Sequence, residues 1–248
     1  MKHYCASHVG TVRKNNEDCC MGEIIETEYG EIGIFAIADG MGGYNKGEVA
    51  SRIAAKNMVM FLKENLLQNG SIKIDYINDM LKQAYNKVNY MVYEKSHNND
   101  EYRGMGTTLT TAVVYENTVY LANVGDSRGY IYNEIMGLKR VTRDHSYVEE
   151  LIERHAITEE EARNHPKRSL ITRAIGTDSF VIVDIFKKKI EKNDIILLAT
   201  DGLTGFVSDH RIENIMDENN KLEKMSDDLI NTANSTGKDN VSVILVRA

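Results

Sequence analysis

One proline, Pro166, interrupts this chain of 248 residues, and no Ser/Gly-rich or low-complexity stretch divides it. Without an evident linker, a single compact domain over residues 1–248 is the simpler organisation. Cysteine is as scarce: Cys5, Cys19 and Cys20 make no CxxC motif and no disulfide framework. Cys19 and Cys20 are neighbours and poorly placed to bridge each other, so a reducing cytoplasm fits best. No apolar run approaches the ~18 residues needed to cross a bilayer, and Met1–Asp18 has no signal core. An excess of positive charge is missing too. The net charge of −7 argues against a nucleic-acid or membrane-surface binder. The expected protein is cytoplasmic, with neither kind of partner.

What is present is an ordinary globular composition, 42% hydrophobic and 27% charged. Strand-like segments cluster early, at Tyr4–Val9, Cys19–Thr27 and Glu31–Ala38. Two helices follow, carrying the stripes Ala50, Ala54, Met58, Leu62, Leu66 and Ile77, Leu81, Tyr85, Val88, Val92. These stripes read as packing faces. Strands resume at Thr107–Val114, Thr118–Val124, Gly129–Tyr132, Phe180–Phe186, Asp194–Thr200 and Val241–Val246. Two polar helices, near His210–Glu218 and Leu222–Ser235, lie between the last two. Strand runs separated by paired helices argue for an α+β fold of antiparallel sheets carrying helices on their outer faces. Thr142–Ile175 departs from this order, with three histidines, four arginines beyond Arg143 and the sole proline. It reads as an insertion over the core.

Four aspartates stand at the edges of apolar runs. Ile34–Ala38 runs into Asp39-Gly40, Ile195–Thr200 into Asp201-Gly202, Tyr120–Val124 into Gly125-Asp126, and Asp239-Asn240 precedes Val241–Val246. One Asp-Gly pair would mark only a turn. Four carboxylates delivered to the ends of core strands would crowd together, and unpaired buried charge is unfavourable. With no Cys or His in the set, hard divalent cations bound through oxygen are the natural partners.

Other blocks carry similar content. Arg13-Lys14-Asn15-Asn16-Glu17-Asp18 sets a cation before two acids. Arg13 could hold a phosphate through its planar fork while Glu17 and Asp18 face metal; a solvated turn is the alternative. Gly42 and Gly47 have the outer spacing of a phosphate loop, but Glu48-Val49 stands where Lys-Ser/Thr should be. Gly104-Met105-Gly106-Thr107-Thr108-Leu109 alone is a glycine turn into a core strand. Asn123–Arg128 is a strand, an acidic turn and another strand.

These six blocks, in this order and spacing, resemble the metal-dependent serine/threonine phosphatases of the PPM (type 2C) family, and best its bacterial single-domain branch. The resemblance implies two antiparallel sheets packed as a sandwich with helices on both outer faces. It also implies a centre of two Mn²⁺ or Mg²⁺ ions, with a third, weaker one. Carried over by position, Asp39 bridges two ions and the Gly40 carbonyl completes one. Asp201 and Asp239 bind the other, Glu17 and Asp18 bind directly or through water, and Asp126 with Asp201 matches the third site. Arg13 matches the phosphate-binding arginine, so Arg13, Asp39 and Asp201 form the expected catalytic group. His145–Arg173 sits where the family has its flap, placed here at about 142–175. A metal-activated water would attack phosphoserine or phosphothreonine with no covalent phosphoenzyme. The implied partners are phosphorylated proteins, among them a Ser/Thr kinase, met by a monomer.

Two positions depart from the family pattern. Met41 stands where the eukaryotic branch has a histidine, and Tyr44 where bacterial members often have one. The proton donor to the leaving group is therefore unassigned among a third-metal water, Tyr44 and a flap histidine. Arg163, Lys167, Arg168 and Arg173 could steer acidic phosphosubstrates or form a solvated loop. The rival readings are a non-catalytic PPM-like binding module, a phosphatase for one regulatory partner, and a hydrolase of small phosphoesters.

Overall fold

The structure is a computed structural model that describes residues 1–28, 30–42, 46–68, 71–72 and 76–248. Its order begins β1 (Lys2–His8), β2 (Asp18–Thr27), β3 (Gly30–Met41) and α1 (Lys46–Leu66), then a small hairpin, β4 (Leu67–Gln68) and β5 (Ser71–Ile72). Next come α2 (Ile77–Asn98), β6 (Gly106–Thr107), β7 (Leu109–Tyr115), β8 (Thr118–Val124), β9 (Arg128–Asn133) and β10 (Gly137–Arg140). The remainder is α3 (Tyr147–Glu153), α4 (Glu159–Arg163), β11 (Asp184–Lys189), β12 (Ile195–Ala199), α5 (Asp201–Thr204), α6 (Asp209–Asp217), α7 (Leu222–Thr236) and β13 (Val241–Arg247).

One sheet has the order β1-β13-β12-β9-β10 and the other β11-β8-β7-β3-β2, with every ladder antiparallel. Their strands read as unbroken apolar runs because both faces are covered. Along β3, Ile32, Ile34, Ala36 and Ala38 face α1 and α2, while Phe35 and Ile37 face the other sheet. On β13, Val241, Val243 and Leu245 meet α7, while Ile244 and Val246 join the inter-sheet core. The alternation follows from the period of two along a strand. It yields helices, sheet, sheet and helices in four layers.

Both helical stripes are buried as expected, with Ala50, Ala54, Met58, Leu62 and Leu66 of α1 in one cluster with Leu81, Tyr85, Val88 and Val92 of α2. The buried Tyr85 hydroxyl is satisfied by the carbonyls of Leu109 (3.0 Å) and Ala122 (2.8 Å), tying α2 to β7 and β8. Three details differ from the sequence reading. The strand expected over Phe180–Phe186 is β11, which starts at Asp184, because its partner β8 ends opposite it: Asp184 pairs with Asn123. The Thr107–Val114 strand is divided into β6 and β7 at Thr108, whose N–H turns to the Asp39 carbonyl (2.9 Å). The charged edge strand β10 carried no apolar signal.

Candidate metal centre and active site

Strand ends bring the acids together. The β2–β3 register sets Asp18 opposite Asp39, and like charges so placed repel. Asp201 opens α5 directly after β12, and Asp239 precedes β13, the strand beside β12. Asp126 lies in the turn between β8 and β9. Close backbone approach closes the cluster. A Cβ on Gly40 would stand 2.1 Å from the Gly47 carbonyl oxygen, and one on Gly202 1.8 Å from that of Asn240, so no side chain fits at either position. The Gly40 N–H donates to the Glu17 carbonyl (3.0 Å).

Uncharged side chains hold the frame. Asn240 accepts from the Glu17 N–H (2.8 Å) and donates to the carbonyls of Val9 and Asn15 (2.9 Å each), so one amide fastens the Arg13–Asp18 loop. Thr108 Oγ1 accepts from the Asp39 N–H (2.9 Å), and Thr107 Oγ1 donates to the Asp39 carbonyl (2.8 Å). Thr200 Oγ1 donates to Asp18 Oδ2 (2.9 Å). These polar supports were missed in the sequence. Their only signal was adjacency: Thr200 precedes Asp201, and Asn240 follows Asp239.

The electrostatics are those expected where carboxylates gather around a cation. Burial, then the neighbouring aspartates, pushes Asp39 and Asp126 well above the usual carboxylate range and raises Asp201. Burial lifts Asp18 to about 7, and raises Glu17 as well. Contact between the two carboxyls adds to the rise of Asp39 and tempers that of Asp201. Asp18 Oδ1 is buried with no hydrogen-bond partner, and such an oxygen is stable only with something to bind. An all-oxygen donor set, an orphaned carboxylate oxygen and mutually raised acids fit a hard divalent ion. Among the described residues, no three Asp, Glu, His or Cys side chains are yet set out as a finished cage.

Arg13 Nη2 donates to Asp239 Oδ2 at 2.9 Å, with both side chains partly exposed. An ion pair so placed is worth about 0–1 kcal/mol, little enough for an incoming phosphate to displace. Arg13, Asp126, Asp201 and Asp239 line one end of a cavity of about 680 Å³ that extends beneath the 142–175 segment. Arg163, Arg168 and Lys238 line it too, as do the apolar Val148 and Phe206.

The basic residues of the 142–175 segment thus separate. Arg173 is structural: its Nη1 donates to Asp184 Oδ1 (2.9 Å) and to the Ile182 carbonyl (2.9 Å). The Lys167 ammonium sits over the Tyr147 ring, 5.0 Å from its centroid. His145 is buried and committed, accepting the Gly125 N–H at Nδ1 (3.1 Å) with Nε2 3.1 Å from Asp184 Oδ2. It is not available as a proton donor to substrate. Tyr44 lies outside the described residues.

A fold and site of this kind define a metal-dependent phosphatase. The protein phosphatase 2C model matches residues 9–245. The chain is 36% identical over 238 residues to the serine/threonine phosphatase stp of Listeria monocytogenes, covering 96% of this chain and 92% of the relative. It is 32% identical over 242 residues to the protein phosphatase PhpP of Streptococcus pneumoniae, covering 96% and 94%. The crystal structure of the phosphatase Stp1 from Staphylococcus aureus superposes with a TM-score of 0.88 at 36% identity, over 100% of this chain and 94% of that one. The phosphatase PstP/Ppp of Mycobacterium tuberculosis does so at 0.85 and 32%, over 98% and 97%. The chain belongs to the protein phosphatase 2C family, and it is a protein phosphatase enzyme of the bacterial type.

Proposed function

We propose that this chain hydrolyses phosphoserine and phosphothreonine in proteins with two Mn²⁺ or Mg²⁺ ions in its core site and a weaker third. Asp39, the Gly40 carbonyl, Asp201 and Asp239 would hold the core pair, with Glu17 and Asp18 holding ions directly or through water. Asp126 with Asp201 would hold the third. Bound there, the ions supply a water acidified from ~16 towards ~7 and charge compensation for the phosphoryl oxygens.

The protein's own groups do the remaining work. Arg13 exchanges its Asp239 contact for the phosphate and orients it. Thr200 and Asn240 keep Asp18 and Glu17 in place. The cavity beneath the 142–175 flap takes the peptide around the phosphoresidue. Phosphorylated proteins, including an opposing Ser/Thr kinase, are the partners, acted on by a cytoplasmic monomer. Among the described residues, no helix is long and apolar enough to cross a membrane.

One observation carries this reading: acids from distant chain segments are brought to the strand ends, with Asp18 opposite Asp39 and Asp18 Oδ1 buried without a partner, and burial, then their neighbours, raises them. A non-catalytic module has no need to retain them. The test is hydrolysis of phosphopeptides beside small phosphate metabolites, with Mn²⁺ and after complete chelation. The reading fails if turnover survives chelation, or if Asp239→Asn keeps wild-type turnover at low Mn²⁺. Equal activity on small metabolites would favour a small-phosphoester hydrolase instead.

A further inference from the structure

The two sheets meet along a seam between their edge strands β1 and β2. Side chains facing into that seam come in matched positions. At one end His3 Cδ2 lies 3.2 Å from where a Cβ on Gly22 would stand. At the other, Asn16 donates to Ser7 Oγ (2.7 Å), which also meets Ser242 Oγ (2.7 Å). Between these two contacts stand Cys5 and Cys20, half-buried and packed on the same inter-sheet core. Cys19, one residue away on β2, points to the other face and packs against the helix-side core.

We propose that Cys5 and Cys20 are an oxidisable pair, which a peroxide converts into one disulfide that fastens the two sheets along this seam. The neighbouring Cys20 lowers the Cys5 thiol from its ordinary value although burial opposes this, which favours Cys5 as the attacking sulfur. Its thiolate takes one peroxide oxygen, breaking the O–O bond to give a sulfenic acid and releasing the other oxygen as water. The Cys20 sulfur then displaces the sulfenic hydroxyl, which leaves as a second water with the Cys20 proton. Two thiols lose two electrons and the peroxide gains them. The bond closes a loop over residues 5–20, which contains Arg13, Glu17 and Asp18. This inference does not depend on the phosphatase reading.

The test uses the purified, metal-free chain and one equivalent of hydrogen peroxide. Remaining thiols are alkylated, and the protein is digested without reductant for mass spectrometry. A Cys5–Cys20 linked peptide is expected, in equal yield from Cys19→Ser. We expect a rise in Tm of about 5–10 °C, reversed by dithiothreitol and absent from Cys20→Ser. The proposal is overturned if the thiols are consumed but recovered as sulfinic acids, as a Cys5–Cys19 bridge or as cross-linked dimers. A Cys20→Ser variant that retains the Tm rise would overturn it too. The wild-type peptide map decides alone if that variant does not fold.

Discussion

Two clusters of buried charge lie within a few residues of each other and resolve their electrostatics in opposite ways. At the root of the 142–175 segment, Arg128, Asp144, His145, Asp184 and Arg173 all have protein partners. Arg128 Nε reaches both oxygens of the buried Asp144 (3.0 and 2.9 Å) and its Nη2 one of them (2.7 Å), while Asp184 is shared by His145 and Arg173. These contacts lower Asp184 below the usual carboxylate range although burial opposes them. At the acid site the carboxylates face one another and rise. The first arrangement is finished architecture. The second has room for a partner from outside the chain, and that asymmetry separates the proposed metal site from a structural network of similar composition.

The widest test of this contrast is Asp39→Asn. It should lower phosphatase kcat/KM by about 10³-fold or more, roughly 4 kcal/mol, while leaving the metal-free Tm equal or higher because a repelling carboxylate is gone. A loss of metal-free stability would show that Asp39 is structural. Asp144→Ala should do the reverse. It strands a buried guanidinium and destabilises the fold by about 3–5 kcal/mol, measured by urea denaturation.

Mn²⁺ at a hundredfold excess over its Kd should stabilise the wild type by about 2.7 kcal/mol and the Asp39→Asn chain by much less. Thermal scans with and without metal would read this. Thr200→Val removes the hydroxyl on Asp18 and should weaken that linkage, by about 1–3 kcal/mol. Unchanged Mn²⁺ affinity would remove Thr200 from the frame.

The smallest effects concern pH, and here the clusters should have opposite signs. Asp18 rises from 3.8 to about 7 on folding, so its protonated form is the one the metal-free fold favours. Its contribution is complete below the unfolded value and lost as pH climbs from about 4 to about 7. His145 is lowered mainly by burial. Its contribution is present above the unfolded value near 6.5 and lost as pH falls below it. Metal-free stability curves should therefore flatten between pH 4 and 7 in Asp18→Asn, and below pH 6.5 in His145→Gln. Identical curves for both variants and the wild type would erase the distinction.

Much of the architecture was legible because periodicity is local. Ala50, Ala54, Met58, Leu62 and Leu66 step at helical spacing, and β3 and β13 read as strands since both faces are buried. The flap histidine was harder to read. His145 is one of three histidines in the 142–175 segment, any of which the sequence offered as a proton donor beside Tyr44 and a third-metal water, and its role depends on Asp184, 39 positions away in sequence. Arg173, grouped with the other flap arginines, was separated from them by the same carboxylate. Strand β10 escaped notice because an edge strand needs backbone pairing and little apolar content.

By itself the sequence determined the layers, the order of the acids and the oxygen-only character of the proposed ligand set, since these follow from residue type and near-neighbour spacing. Only the tertiary structure decided which acids face one another, which basic groups are already engaged, and which two of three cysteines meet. Those outcomes depend on strand register and on contacts between segments far apart in the chain, where a shift of one residue turns a side chain to the opposite face.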